Sequence, residues 1–166
     1  MKQQKLCCVV TQNIDGLHRA AGTSEQKLIE LHGTNSFVEC QTCHELSDPQ
    51  PHFEYFKRTG KPPICHCQGY LKHATISFGQ NLREKDLNLA IDKAHQADLA
   101  IALGSTLAVY PAAEIPCITA RNGHPYVIVN LGETDQDHFD FVTMKINADI
   151  ASIFVKAVDS ISENTE

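Results

Sequence analysis

Four cysteines in two close pairs, Cys40 with Cys43 and Cys65 with Cys67, are the residues best placed to act together. Two residues separate Cys40 from Cys43, the knuckle spacing by which two thiolates reach one zinc ion. Cys65 and Cys67 have a single residue between them, tighter than usual. Two thiol pairs divided by a loop predict a closed site of four thiolates, structural rather than catalytic because it leaves no open position for water. His44 and His66 lie beside the pairs and are alternative ligands. The chain has seven cysteines, an odd number that cannot all pair internally. Clustering therefore points to metal in a reducing compartment rather than to disulfides. Cys7, Cys8 and Cys117 stand in apolar surroundings and are expected to be buried, unreactive thiols.

A second kind of chemistry sits where short apolar runs end in polar residues. "TQNID" (11–15) carries Gln12, Asn13 and Asp15; "HG" (32–33) carries an imidazole; "GST" (104–106) and "NLGET" (130–134) follow two strongly apolar runs. A GST turn at a helix start can offer backbone N–H groups to a phosphate. An imidazole has an unperturbed pKa near neutrality, which suits proton transfer. Each piece by itself is common; a histidine at a strand end is more often structural than catalytic.

These tips need strands and helices to hold them. Residues 6–10 ("LCCVV"), 27–33 ("KLIELHG"), 75–78 ("TISF"), 98–103 ("DLAIAL"), 126–130 ("YVIVN") and 142–146 ("VTMKI") read as strands, mostly as the continuous apolar runs of a parallel sheet. Asp15 or Asn13 caps a short helix over Leu17–Ala21, stopped by Gly22. Leu87, Ala90, Ile91 and Ala94 have helical spacing within 84–97, Pro111 starts a helix that ends near Asn122 and Gly123, and "ADIASIFVKAVDSI" closes the chain as an amphipathic helix. Alternating helix and strand predicts a parallel sheet with helices on its faces, and ligands beyond the carboxyl ends of its strands. Residues 40–69 change in composition, with Pro49, Pro51, Pro62, Pro63 and Gly60, and read as a small insert that needs a staple. The expected organisation is a Rossmann-like domain from 1–39 and 70–166 with a zinc-binding insert over 40–69.

The totals narrow the partners. With 166 residues, 42% of them hydrophobic, the chain suits one globular domain, and a formal charge of −6 argues against general nucleic-acid or membrane-surface binding. No apolar run is long enough to span a membrane, and "MKQQKLCCVV" lacks the pattern of a signal peptide. A soluble, cytoplasmic protein is expected.

In combination and order, these motifs resemble the sirtuins, the NAD-dependent protein deacylases. "TQNIDGLH" matches that family's Thr-Gln-Asn-Ile-Asp-x-Leu-His motif throughout, and "ELHG" its His-Gly strand end. The paired cysteines fall where sirtuins insert a zinc ribbon. "SFGQNL" is similar to the family's Phe-Gly-Glu segment with Gln80 in place of Glu, "LGSTLAVYPAA" to its Leu-Gly-Thr-Ser-Leu-x-Val-x-Pro motif with Ser105 and Thr106 exchanged, and "VIVN" to its late nucleotide-binding strand. The resemblance runs from Leu6 to about Val158.

The resemblance implies a sirtuin-type Rossmann-like fold and an NAD-dependent deacylase that releases nicotinamide and O-acyl-ADP-ribose. It implies His32 as the general base that activates a ribose hydroxyl, with Asn13 as its catalytic companion. It implies Gln12, Asn13, Ile14 and Asp15 around the nicotinamide ribose, and Gly104, Ser105, Thr106, Asn130, Leu131 and Gly132 around the phosphates and the adenosine ribose. Asp149 and Ile150 fall where relatives meet adenine, and Phe78, Gly79 and Val109 where they frame an acyl-lysine peptide, which adds as a strand. Cys40, Cys43, Cys65 and Cys67 would hold structural zinc. NAD is the implied co-substrate and an acyl-lysine protein the implied partner. The family's Gly-Ala-Gly-x-Ser loop and Pro-Asp-Phe-Arg segment have no counterpart in the sequence. Three readings follow: a piece of a full sirtuin, a truncated zinc-containing binding module without turnover, or a subunit completed by a second chain. NAD hydrolysis or ADP-ribosyl transfer is the alternative chemistry for the same pocket.

Overall fold

The computed structural model describes residues 5–163. The chain forms two compact units, residues 1–88 and 89–166.

In the first unit, β1 (Val9–Thr11) pairs in parallel with β2 (Leu28–Glu30). The expected 6–10 strand is therefore displaced: Leu6 is exposed, and Cys7 and Cys8 are half-buried rather than buried. Between the strands, the Asp15 carboxylate accepts the Leu17 N–H at 2.9 Å and turns the chain into the four-residue helix α1 (Leu17–Ala20). The expected 27–33 strand divides in two, because β3 (Gly33–Cys40) starts at the glycine and runs in another sheet. That sheet is antiparallel, in the order β4 (Leu46–Ser47), β3, β5 (Leu71–Thr75). The expected strand over 75–78 is thus shifted upstream: β5 ends at Thr75, and the Gln80 N–H donates to the Ser77 carbonyl in a turn. Ile29, Leu31, Val38 and Ala74 are buried in this unit.

The proline-rich stretch contains a helix that periodicity did not predict, α2 (Pro49–Thr59). Asp48 caps it by accepting the Gln50 N–H, and Pro49 and Pro51 fall in its first turn, where a missing N–H costs no intrahelical bond. Gly60 ends it in the left-handed conformation.

In the second unit, β6 (Ala100–Leu103), β7 (Tyr126–Val129) and β8 (Met144–Ile146) form a parallel sheet in that order. The helix α3 (Glu84–Gln96) forms as its Leu87/Ala90/Ile91/Ala94 spacing predicts; a 3-10 turn over Ala112–Glu114 leads into α4 (Ile115–Arg121), and α5 (Ile150–Glu163) follows β8. β7 is the central strand and is the most completely buried: Tyr126 and Ile128 have no exposed surface and pack with Leu107, Ala113 and Ala120. β6 lies at the edge of the sheet, and its apolar run alternates. Ala100 and Ala102 turn to the core, whereas Ile101 and Leu103 remain exposed. Thr119 on α4 donates its hydroxyl to the Ala94 carbonyl of α3 at 2.8 Å.

Parallel pairing places the carboxyl ends of neighbouring strands on one sheet edge. In the first unit these ends are the Gln12–Asp15 tip and the His32 turn. In the second they are the 104–106 turn, the 130–134 loop and the start of α5.

Candidate functional site

The first tip is held by the backbone of its neighbours. The Thr11 carbonyl accepts the Leu31 N–H at 3.0 Å, and the Ile14 carbonyl accepts the Asn35 N–H at 2.8 Å. Thr11 is buried, and its hydroxyl accepts the Asn13 N–H at 3.0 Å. Gln12 and Ile14 are half-buried, while the Asn13 and Asp15 side chains are exposed. His32 is half-buried, with Nδ1 3.2 Å from the Gln12 carbonyl. A carbonyl can only accept, so Nδ1 carries the proton and Nε2 presents a lone pair. Gly33 follows His32 and packs tightly against the β5 backbone. Its φ is 73°, and a Cβ there would stand 2.1 Å from the Ala74 carbonyl oxygen, so no larger residue fits without moving backbone.

At the second unit's edge, Gly104 (φ 60°) donates its N–H to the Val129 carbonyl. A Cβ on Gly104 would meet Ile150 Cδ1 at 2.7 Å, so the glycine lies directly against the start of α5. The Ser105 hydroxyl accepts the Leu107 N–H at 3.1 Å, and the Thr106 carbonyl accepts the Asp135 N–H at 2.9 Å. The buried Asn130 faces the carbonyls of Leu131 and Gly132 with Nδ2, at 3.3 and 3.4 Å. Leu131 itself is exposed. Asp149 accepts the Ser152 N–H at 3.0 Å as the cap of α5.

Sequence reasoning missed three residues that shape this edge. Lys145 Nζ donates to the Gly132 carbonyl at 3.0 Å and to both Asp137 carboxylate oxygens at 2.7 and 2.8 Å. Burial works to raise the Asp137 carboxyl, but hydrogen bonds from Lys145 and Thr134 outweigh it and hold the group below the usual carboxylate range. Gln136 is fully buried; its amide oxygen accepts the Tyr126 hydroxyl at 2.8 Å and faces the Cys117 thiol at 3.3 Å, while its NH₂ donates to the Ala113 carbonyl at 2.7 Å. Cys117 is buried as expected, and burial pushes its thiol up.

Phe78 is completely exposed and Gly79 takes φ 84° beside it. The turn is closed by Gln80, whose amide oxygen accepts the Ser77 N–H at 2.8 Å and Lys72 Nζ at 2.9 Å. Val109 is exposed in the second unit.

The four cysteines come together as their spacing predicts, with all sulfurs within 4.8 Å of one another. Cys40 and Cys67 sulfurs are 3.4 Å apart, and Cys43 and Cys65 sulfurs 3.7 Å. A tetrahedron of thiolates at zinc has edges of about 3.8 Å, so the cluster fits such an ion. Gly69 makes room for it, since a Cβ there would stand 2.5 Å from the Cys40 sulfur. The backbone N–H groups of Cys43 and then Thr42, working against burial, lower the Cys40 thiol to about 6. A Gly69 N–H works in the same sense on Cys67, but the Cys40 and Cys43 sulfurs override it and push that thiol up to about 12. The Cys40 thiolate therefore forms more readily than that of Cys67, which a bound cation would favour. Both alternative ligands face carboxylates outside the four-cysteine cluster: His44 Nδ1 lies 3.0 Å from Glu39, and His66 Nδ1 lies 3.1 Å from Glu45 and 3.5 Å from the Cys65 sulfur.

The sequence and the fold are shared with known proteins. The Sir2 family model matches residues 1–111. A Thermotoga maritima NAD-dependent protein deacetylase is 42% identical over 142 residues, which are 86% of this chain and 56% of the relative. An Archaeoglobus fulgidus NAD-dependent protein deacylase 2 is 37% identical over 156 residues, 92% of this chain and 59% of the relative. A solved structure of Sir2 bound to an acetylated peptide superimposes with TM-score 0.85 at 38% identity, covering 93% of this chain and 63% of that one. A Sir2 complex with a p53 peptide and NAD+ gives TM-score 0.83, also at 38% identity, with 93% and 63% covered. The chain spans about half the length of the curated relatives it matches. On sequence and fold together, the chain belongs to the Sir2 family.

Proposed function

We propose that the chain carries the base-bearing and adenosine-binding parts of an NAD-dependent protein-lysine deacylase. The observation that carries this reading is the His32 imidazole, whose Nδ1 is pinned on the Gln12 carbonyl so that Nε2 is free to take a proton. NAD supplies the ribose carbon that the acyl oxygen attacks and the nicotinamide that leaves. His32 accepts the proton of a ribose hydroxyl at Nε2, and the fixed tautomer keeps that nitrogen ready. Gln12, Asn13, Ile14 and Asp15 surround the nicotinamide ribose, with the Asn13 amide orienting water or hydroxyl beside His32. Gly104, Ser105, Thr106, Asn130, Leu131 and Gly132 hold the phosphates and the adenosine ribose, and Asp149 and Ile150 border adenine. Phe78, Gly79 and Val109 receive the peptide; what supports an acyl-lysine substrate is a Sir2 relative solved with an acetylated peptide.

The cysteine cluster holds one structural zinc ion, and the 40–69 stretch is the zinc-binding insert of the nucleotide-binding domain. Four clustered thiols suit a reducing compartment, which we take to be the cytoplasm. Among the described residues no helix is long and apolar enough to cross a membrane.

The test is incubation of the purified chain with NAD and an acetyl-lysine peptide, following nicotinamide and free lysine. Both products, abolished by His32→Ala, support the reading. Zinc at about one equivalent per chain without nicotinamide release would favour a binding module. Nicotinamide release that needs no peptide would favour NAD hydrolysis or ADP-ribosyl transfer.

A further inference from the structure

Beside the four-cysteine cluster lies a second set of donor atoms, from Glu45, Cys65 and His66, two of which the proposed zinc site does not use. His66 Nδ1 is 3.1 Å from Glu45 Oε2 and 3.5 Å from the Cys65 sulfur. One donor atom from each of the three residues lies within 4.8 Å of the others. Two ligands on a tetrahedral zinc ion are about 3.4 Å apart for nitrogen with oxygen, and about 3.6 Å for nitrogen with sulfur. The observed separations are close to those edges. The trio lines one pocket together with His52, Ile64 and Leu71.

Exposure orders the two sets. The Glu45 and His66 side chains are 56% and 75% exposed, Cys65 is half-buried, and Cys40 is buried. Cys65 belongs to both sets. An ion held by Glu45, His66 and Cys65 already has one bond of the inner site, so it can move inward without first becoming bare. The donor set of oxygen, nitrogen and sulfur suits a borderline cation such as Zn²⁺.

We propose that Glu45, His66 and Cys65 form a loading site through which zinc reaches and leaves the four-cysteine cluster. On the way out, the ion breaks its bonds to Cys40, Cys43 and Cys67 and keeps Cys65. It gains His66 Nδ1 and a Glu45 oxygen, and the three released thiolates take protons from solvent. The charge on the ion does not change. This goes beyond the deacylase reading and does not depend on NAD binding; it rests on zinc in the cysteine cluster.

A kinetic device of this kind lowers the barrier in both directions and leaves the final affinity alone, whereas a purely structural ion pair would alter affinity or folding. The experiment follows zinc loss from the loaded full chain into excess chelator, and Co²⁺ uptake after removal, for the wild type and Glu45→Gln/His66→Gln. Release and uptake should both slow about tenfold, which corresponds to roughly 1.4 kcal/mol on the barrier. Zinc stoichiometry and the final cobalt–thiolate absorption should stay the same. Unchanged rates in both directions would overturn the proposal and leave Glu45–His66 as a surface ion pair. Altered zinc affinity or a changed cobalt spectrum in both the double variant and the milder His66→Gln alone would assign the pair a structural role instead, and also overturn it. Failure of the wild type to bind zinc or Co²⁺ would refute the zinc reading of the cluster and this proposal with it.

Discussion

At the β1–β2 tip most of the positioning contacts end on backbone carbonyls, Thr11 to Leu31, Ile14 to Asn35 and Gln12 to the His32 ring, and the Thr11 hydroxyl and Asp15 carboxylate add two more. At the β6–β8 edge the same task falls largely to side chains. Asn130 faces the carbonyls of its own loop, Asn147 accepts the Gly132 N–H at 2.8 Å, and Lys145 ties Gly132 to Asp137. A backbone-held tip tolerates changes of side chain and of pH, and is vulnerable only where the backbone itself is sterically confined. A side-chain-held loop can be loosened one group at a time, and part of its support titrates.

The largest break in this contrast is at Gly33. An alanine there must adopt a left-handed backbone and move the Ala74 carbonyl, costs that together come to about 3 kcal/mol. Gly22→Ala is the control, since Gly22 also has positive φ (88°) but nothing within 4 Å of a Cβ. It should lose only the conformational part, about 1 kcal/mol. Urea unfolding of the two variants measures the difference; equal losses would show that the approach to Ala74 is not tight.

Gln136 tests the opposite side of the comparison. Gln136→Leu keeps the volume but leaves the buried Tyr126 hydroxyl without its partner and the Ala113 carbonyl with one partner fewer, at a cost of about 2 kcal/mol. Adding Tyr126→Phe removes the stranded hydroxyl and should recover part of the loss. No recovery in the double variant, read by thermal unfolding, would mean that the hydroxyl finds another partner.

The sequence made the first tip legible and the second only in outline. "TQNIDGLH", "HG" and the cysteine spacing are local patterns, and local patterns fix donors near one another whatever surrounds them. α3 and β7 were equally readable, since one periodic face and one central strand decide them. Asp48–Pro49 is a helix-start signal, but four prolines and a glycine in the same stretch read as breakers; proline is benign in a first turn, and that decided the outcome. Gln136 gave no signal, because a buried glutamine inside the polar run "ETDQD" looks like any loop residue until the core around Tyr126 is assembled. Lys145 sits in β8, whose apolar reading hid a residue that reaches back to the loop. The β6 alternation was likewise invisible, since exposure of Ile101 and Leu103 depends on strand order and not on the run itself.

The smallest expected effect sharpens the titratable half of the contrast. Lys145→Met removes the ammonium that holds Gly132 and Asp137, at a cost of about 0.5–1 kcal/mol near neutral pH. The Asp137 carboxyl is lower in the folded chain than its ordinary value. Its contribution to stability is therefore complete above the unfolded value of about 4 and is lost as pH falls through the lower folded value. In the methionine variant that depression is reduced, with the Thr134 hydrogen bonds left to oppose burial. The stability gap between the two proteins should be widest at neutral pH and close below about pH 4, measured by urea unfolding across the acid range. The Gly33→Ala gap should hold constant over the same range, because no proton is taken up or released at that contact. A Lys145→Met gap that also stayed constant with pH would mean that Lys145 holds the loop through the Gly132 carbonyl alone, and that this edge, like the other, is in effect held by backbone.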